Sequence, residues 1–207
     1  ATCAAPWIAH AQTRRDSVLI ALSLEPNSLD PTSAPASANA EVVHYNILQG
    51  LTKIEQDGKT SPLLAENWHT SADQQVWRFS LRRNVQFHDG SPFDAPTVRW
   101  CFERAQQANS GNKGQNALFD NVSAIETPDP HTVVLQLHHP DPHLLFRLGE
   151  SYAVILHPKT AATAHSQPIG TGPYRFERWQ RGQSIHLKRF TGYWGPAPAL
   201  KRASFHF

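Results

Sequence analysis

The stretch Trp77–Ala95, WRFSLRRNVQFHDGSPFDA, decides the fold class. Apolar and polar residues alternate over Trp77–Arg82, which predicts a strand with one buried and one solvent-facing side. Asp89-Gly90 predicts a tight turn, because glycine adopts positive φ at little cost. Asp94 then stands where it can cap the first turn of a helix. The stretch therefore predicts a strand, a turn and a helix in direct succession.

Outward from this stretch, helical and strand-like segments alternate irregularly, which predicts a mixed α/β (α+β) fold. The first predicted helix begins at Ser37, runs for about a dozen residues and ends at Gly50. The second follows Asp94, and a short one covers Pro142–Leu148. Strands are predicted at Val18–Leu24 (buried), Leu51–Glu55, Val122–Glu126, Thr132–Leu137, Tyr152–Leu156, Tyr174–Trp179, Ser184–Phe190 and Ala203–Phe207. The polar stretch Asn109–Asn116 is predicted to be a loop.

Composition limits the classes of function. The chain has 207 residues, of which 40% are hydrophobic and 17% charged, enough for a packed core. The longest apolar run, Val18–Leu22, is far shorter than the ~20 residues of a membrane-spanning helix. The net charge is +2, and Lys and Arg are scattered along the sequence. A nucleic-acid partner is therefore not expected.

The first residues are typical of a processed leader. Residues 1–12 are mostly small and apolar, and Ala9–Ala11 matches an A-x-A signal-peptidase site, so 1–12 is predicted to be a signal-peptide remnant or a disordered N-terminus. Cys3 is also a candidate for lipidation. Cleavage after Ala11 would leave Cys101 without a disulfide partner in the chain, and its apolar surroundings predict a buried, unreactive thiol.

No pattern of catalytic or metal-binding residues stands out. The sequence has no G-x-S-x-G, H-E-x-x-H or P-loop motif, so no enzyme activity and no cofactor are predicted. Two prolines interrupt the one helical spacing among the clustered histidines, so no metal site is predicted. These histidines are His138, His139, His143, His157 and His165.

Five segments, in this order and spacing, resemble the family 5 extracellular solute-binding proteins of ABC importers. Glu25–Pro31 is similar to the family's EPxSLDP, and Trp77–Ala95 to its LRxGVKFHDGTPFTA. The other three are Gly50–Trp68, which holds GL, DGK and PLLAENW; Pro168–Phe176, which holds GTGPY; and Gly192–Gly195, which holds YWG. Asn84 departs from the usual glycine, and Phe190–Gly192 departs from the usual NPx.

The resemblance implies a type II periplasmic-binding-protein fold. Family members are two-lobed clamshells more than twice this length, so the chain is expected to supply an incomplete first lobe and to lack the second. Residues 13–38 with 168–207 are expected to form a sheet subdomain, and 39–167 an inserted α+β subdomain. The implied function is capture of a peptide outside the cytoplasm and its delivery to a membrane permease. Nickel-chelate or haem receptors of the same family, and the sensing domain of a transcriptional regulator, remain alternatives.

Three loops are implied to line the ligand cleft, because the corresponding loops of relatives do so: Thr32–Ser37, Asn109–Asn116 and Glu150–Tyr152. Asparagine side chains there both donate and accept hydrogen bonds, as a peptide backbone requires. A glutamate is suited to a ligand's amino group, and a tyrosine offers a ring face and a hydroxyl. The candidate ligand-binding residues are Ser33, Asn112, Asn116, Glu150 and Tyr152.

Overall fold

The computed structural model describes residues 16–34, 36–107 and 113–207. The predicted leader, residues 1–12, lies outside the described residues. The strands are β1 Ser17–Ala21, β2 Thr52–Ile54, β3 Thr60–Pro62, β4 Ala65–Thr70, β5 Val76–Leu81, β6 Val122–Asp129, β7 Thr132–Leu137, β8 Tyr174–Gln180, β9 Ser184–Arg189 and β10 Arg202–His206. The helices are α1 Ser37–Val43, α2 Ala95–Gln107, α3 Lys113–Phe119 and α4 Leu144–Arg147, with 3-10 turns at Ser151–Ala153 and Pro158–Thr163. The fold is mixed α/β.

The strands of the described residues form three sheets. One has the order β1-β10-β9-β8, one is the β2-β3 hairpin, and one has the order β4-β5-β7-β6. Strand β1 runs parallel to β10, with Ser17 opposite Arg202 and Ala21 opposite His206. The predicted pairing of the first strand with the C-terminal strands is therefore confirmed. The division into subdomains at 13–38 with 168–207 and at 39–167 is retained as a proposal.

The decisive stretch folds as its pattern predicts. Trp77, Phe79 and Leu81 are buried on one side of β5, while Arg78 on the other side is exposed. The Asp94 carboxylate caps α2 by accepting hydrogen bonds from the Thr97 N–H at 2.9 Å and hydroxyl at 2.6 Å. The apolar stripe of α2 packs into the core with the β6–β7 hairpin. This part of the chain contributes Phe79, Phe87 and Phe102, which are among the largest fully buried side chains of the described residues.

Strand β1 is not buried as predicted. It lies at the edge of its sheet and has β10 as its one neighbour in that sheet. Leu19 is 63% exposed and Leu24, beyond the strand, is 70% exposed. An apolar run therefore predicted a strand correctly, but it did not predict how many neighbours cover that strand.

Three further predictions are wrong at the level of single elements. Helix α1 ends at Val43, not Gly50, because the backbone becomes extended at His44, with φ −68° and ψ 127°, and Tyr45 follows with a φ of 60°. Residues Lys113–Phe119 are helical, so the part of the predicted loop Asn109–Asn116 that the structure describes, residues 113–116, belongs to a helix. Residues 152–156 form no strand. The 3-10 turn Ser151–Ala153 takes up the first of them, and Val154, Ile155 and Leu156 follow as a buried extended segment. In this segment the Ile155 N–H donates to the Gln49 carbonyl oxygen, and no neighbouring strand of the described residues is involved.

Cys101 is buried on α2, and its thiol lies 3.2 Å from the Leu156 carbonyl oxygen, to which it donates. Burial raises the pKa of this thiol to about 12.

The thiolate is the form of cysteine that reacts with thiol reagents. In the native Cys3→Ser protein we therefore expect the labelling rate of Cys101 to be limited by the rate at which the protein unfolds around it. Labelling in 6 M guanidinium chloride is the reference. Equal rates in native and denatured protein would contradict this.

Candidate ligand-binding site

Side chains of helices α1 and α2 hold the loop Glu25–Pro31 in place. Asn39 of α1 is fully buried; its amide donates to the Asn27 side chain at 3.0 Å and the Ala34 carbonyl at 2.8 Å. The Asp30 carboxylate, 3% exposed, accepts from the N–H and hydroxyl of Thr32, and Arg104 of α2 lies 3.6 Å from its other oxygen. Two polar residues of this loop, Asn27 and Asp30, are thus explained by contacts that hold the loop in place, and Asp30 matches the family motif.

The HDG and GTGPY segments close on each other through His88. Its Nδ1 accepts from the Gly170 N–H at 3.3 Å, and its Nε2 lies 3.0 Å from the Gly172 carbonyl oxygen. These partners require a neutral ring that carries its proton on Nε2. Burial lowers the pKa of His88 to about 4, which keeps the ring neutral near pH 7. The Asp89 side chain points away from His88: it accepts from the Ser91 hydroxyl and lies 3.4 Å from the His157 ring, so His88 and Asp89 form no relay.

Gln49 joins two segments of the family resemblance, Pro168–Phe176 and Gly192–Gly195. Its Oε1 accepts hydrogen bonds from the Thr171 hydroxyl at 3.0 Å and the Trp194 indole at 3.1 Å. Its Nε2 lies 3.3 Å from the Tyr193 hydroxyl. Gln49 is 1% exposed. The GTG and YWG segments therefore meet at one buried amide group. Thr171, Tyr193 and Trp194 thus have a structural role in joining these segments, and this role does not depend on a ligand.

Two of the candidate residues come together with helix α3. We name this region the Tyr152 surface and define it as Tyr45, Gly114, Asn116, Glu150 and Tyr152. A Cβ at Gly114 would lie 2.8 Å from the Tyr152 ring, so the absence of a side chain on that helix makes room for the ring. Gln115 of α3 donates to the Tyr152 carbonyl oxygen at 3.1 Å, which fixes the 3-10 turn against the helix.

Glu150 supplies the negative charge of the Tyr152 surface. It is half-buried, and burial raises the pKa of its carboxyl group. Burial also raises the pKa of Tyr152 and of Tyr45, and the negative charge of Glu150 adds to both shifts. Among the described residues, no cation lies within ion-pair distance of Glu150. A partly desolvated carboxylate close to two tyrosine side chains is suited to a cationic ligand group.

The remaining candidates are placed differently. Ser33 is exposed and donates to the Asp30 carbonyl oxygen at 3.3 Å, so it stabilises the turn and lies in the Asp30–Arg104 network. Asn112 lies outside the described residues. Asn116 is on α3, and its carbonyl oxygen accepts from the Asp120 N–H near the end of that helix. The structure thus brings Glu150 and Tyr152 together beside α3, the helix that carries Asn116, and it places Ser33 in another network.

Tyr45 is the residue of this surface that the sequence did not indicate. Its hydroxyl donates to the Gly149 carbonyl oxygen and accepts from the Ile54 N–H, both at 2.8 Å. Its φ of 60° is costly for a residue with a Cβ, and such strain is concentrated at functional sites. His44 stacks on it with ring centroids 3.8 Å apart. A positive φ at tyrosine leaves no pattern in a sequence, so only the structure reveals it.

The histidines that cluster in the sequence, from His138 to His165, have different surroundings in the structure. In residues 16–34, 36–107 and 113–207, no group of three His, Cys, Asp or Glu side chains could hold a metal ion. His138 and His139 are exposed beyond β7, and His143 precedes α4. His157 is buried against Asp89 at 3.4 Å, and His165 bonds to the Ala162 carbonyl.

Comparison with known families decides the relationship. The family described as "Bacterial extracellular solute-binding proteins, family 5 Middle" matches residues 59–207. The chain belongs to the family 5 extracellular solute-binding proteins. The resemblance of the five segments is thereby confirmed, and the relatives of this family 5 chain are solute-binding proteins.

Three relatives illustrate the range of the family. The chain is 31% identical to the probable D,D-dipeptide-binding periplasmic protein DdpA of Escherichia coli K12, covering 95% of this chain and 40% of that protein. It is 31% identical to the glutathione-binding protein GsiB of Salmonella paratyphi A, and the match covers 86% of this chain and 35% of that protein. The structure of the A. tumefaciens R10 protein AgaA with agropinic acid is similar with a TM-score of 0.85 and 33% sequence identity. That match covers 92% of this chain and 39% of AgaA.

The family 5 chain spans about 40% of the length of such relatives. It therefore corresponds to part of one lobe of a type II periplasmic binding protein, as the resemblance implied. Within the described residues, no helix is both long and apolar enough to cross a bilayer.

Proposed function

We propose that this chain is part of an extracytoplasmic receptor that captures a short peptide and delivers it to the permease of an ABC importer. No bond is made or broken. The observation that carries the proposal is the Tyr152 surface, where the half-buried Glu150 carboxylate lies close enough to Tyr45 and Tyr152 to raise the pKa of both and has no ion-pair partner among the described residues. Membership of a family of solute-binding proteins and the peptide-binding relatives support it.

Each group of the Tyr152 surface has a role in this proposal. The Glu150 carboxylate accepts hydrogen bonds from the ligand's amino group, which is a charge-assisted interaction. The Tyr152 ring covers the ligand, and the Asn116 side chain pairs with its backbone. Specificity for the ligand's side chains then depends on the volume left around them.

The rest of the receptor completes the site in this proposal. The second lobe would form the other wall of the cleft, and a ligand that contacts both lobes stabilises the closed state by its higher affinity for that state. Residues 1–12 are proposed to belong to the secretion signal. Delivery to the permease then follows closure.

The test uses the full-length product of the reading frame that contains this chain. In titration calorimetry with di- and tripeptides, we expect Glu150→Gln and Tyr152→Ala each to weaken binding about 10–100-fold, the loss of a buried charged or polar contact of roughly 1–3 kcal/mol. Tyr152→Phe keeps the ring that packs on Gly114 and loses only the hydroxyl contact. Glu66→Gln, an exposed glutamate on β4, is the matched control.

The melting temperature of each ligand-free variant separates binding from folding. Unchanged peptide affinity in Glu150→Gln and Tyr152→Phe would place the site elsewhere. Binding of a nickel chelate or haem, with no binding of any peptide, would favour the alternative ligands of the family.

A further inference from the structure

The segment 168–207 carries the excess positive charge of the chain, although its Lys and Arg residues form no long run in the sequence. Seven of the 19 Lys and Arg residues, but one of the 17 Asp and Glu residues, lie within 168–207. This segment contributes β8, β9 and β10 to the first sheet. A chain with a net charge of +2 therefore carries a strongly basic sheet and a remainder that is net acidic.

The strand register brings these cations onto one face. Arg175 lies opposite Lys188, and Lys188 lies opposite Arg202, so three cations form a row across three strands. Arg178 lies opposite His186 in the next row. Residues between them, such as Ile185, Leu187, Ala203 and Phe205, point into the core. We name the solvent side of β8, β9 and β10 the basic face.

Acidic side chains do little to neutralise this face. Glu177, the one acidic residue of the three strands, lies 3.8 Å from Lys188, while Lys201 at the start of β10 is paired with Asp16. Partial burial and the nearby positive charges of Arg178 and His206 lower the pKa of His186. Directly opposed like charges destabilise a sheet. Among the described residues, Lys188 is the one cation of this row with an acidic partner, so the row as a whole does little to stabilise the fold, which points to a role in binding.

An apolar side chain borders the basic face. Leu19 of β1 lies opposite Ser204, whose neighbour in β9 is His186, so Leu19 stands on the same side of the sheet. It is 63% exposed. Leu24, in the segment that follows β1, is 70% exposed. A flat basic surface with large apolar side chains at its margin combines the two attractions that hold peripheral proteins at anionic bilayers.

We propose that the basic face binds the surface of a membrane that contains anionic phospholipids. The phosphate groups of the lipids neutralise the row formed by Arg175, Lys188 and Arg202, and Leu19 enters the interface. The proposal does not depend on the peptide ligand, because the Tyr152 surface contributes none of these residues. The row of cations crosses the surface of a sheet, with one cavity at its Arg175 end and another at its Arg202 end. Such an extended row of charges favours a membrane over an acidic polypeptide segment, which would need a shaped site along the whole row.

The test is co-sedimentation with large unilamellar vesicles in 50 mM NaCl. One set contains phosphatidylcholine alone, and the other contains 30% phosphatidylglycerol. We expect binding to the second set only, and weaker binding in 500 mM NaCl because salt screens surface charges. The triple variant Arg175→Gln, Lys188→Gln, Arg202→Gln is expected to bind about 10–100-fold more weakly. Its melting temperature should equal or exceed that of the parent protein, since the row of like charges is gone.

A matched control changes the net charge equally elsewhere. The triple variant Arg78→Gln, Arg83→Gln, Lys159→Gln replaces three exposed cations outside the basic face and should keep most of the binding. Leu19→Ser should weaken binding without changing its dependence on salt. An equal loss in both triple variants would overturn the proposal. So would binding to poly-glutamate or an oligonucleotide when phosphatidylglycerol vesicles do not bind.

Discussion

Gly170→Ala is expected to lower the free energy of unfolding by about 4 kcal/mol or more, enough to leave the protein largely unfolded. A Cβ at this position would lie 2.0 Å from the Ile47 carbonyl oxygen, which belongs to the backbone and cannot rotate away. The glycine cannot retreat either, because its N–H and carbonyl oxygen are both bonded to His88. Urea denaturation followed by circular dichroism measures the change.

The control for this prediction is Gly182→Ala. Gly182 has a φ of +71° and no atom within 4 Å of a Cβ placed there. Its replacement is expected to cost only about 1–2 kcal/mol, the cost of a left-handed conformation for alanine. A Gly170→Ala protein as stable as the Gly182→Ala protein would show that the two segments do not approach as closely as described.

Gln49→Leu is expected to destabilise the protein by about 3–5 kcal/mol. The leucine fits the apolar surroundings but leaves the Trp194 indole N–H and the Thr171 hydroxyl without their acceptor. Each polar group that stays buried without a partner costs roughly 1–3 kcal/mol. The midpoint of urea unfolding gives the effect, and the fluorescence of the protein reports whether the surroundings of its tryptophans, Trp194 among them, change in the native state.

Gln56→Leu provides the comparison, because Gln56 is an exposed glutamine in the turn between β2 and β3. Its replacement should change stability by less than about 0.5 kcal/mol. If Gln49→Leu changed stability as little, the amide at Gln49 would not be the junction of the GTG and YWG segments.

Local patterns predicted the parts of the fold that local interactions determine. The alternation over Trp77–Arg82, the cap at Asp94 and the turn at Asp89-Gly90 depend on residues a few positions apart, and the structure has all of them. The pairing of β1 with the C-terminal strands is not local. That prediction depended on the family resemblance.

The errors come from contacts that no local pattern encodes. Val18–Leu24 is apolar enough for a buried strand, but burial depends on what covers a strand. The helix expected to reach Gly50 ends early because the backbone becomes extended at His44, and Tyr45 is then held at positive φ by two hydrogen bonds from distant segments. Residues 154–156 are buried as an extended segment whose partner is Gln49.

The candidate site shows the same division. Position within the family indicated Glu150 and Tyr152, and residue type suggested their chemistry. Their approach to α3 depends on Gly114, whose missing side chain makes room for the Tyr152 ring. The basic face could not be found by searching for a run of Lys and Arg, because strand register, not sequence proximity, places Arg175 beside Lys188 and Arg202.

The parallel pairing of β1 with β10 has a consequence for the order of folding during synthesis. Ser17 meets Arg202, so β1 cannot take its place until nearly the entire described chain has left the ribosome. At 5–20 residues per second, that delay is roughly 10–40 s. Closing so long a loop also carries a large entropic cost and slows the final step. Throughout this interval the strand that contains Leu19 and Ile20 has no partner, which makes it the natural binding segment for a chaperone.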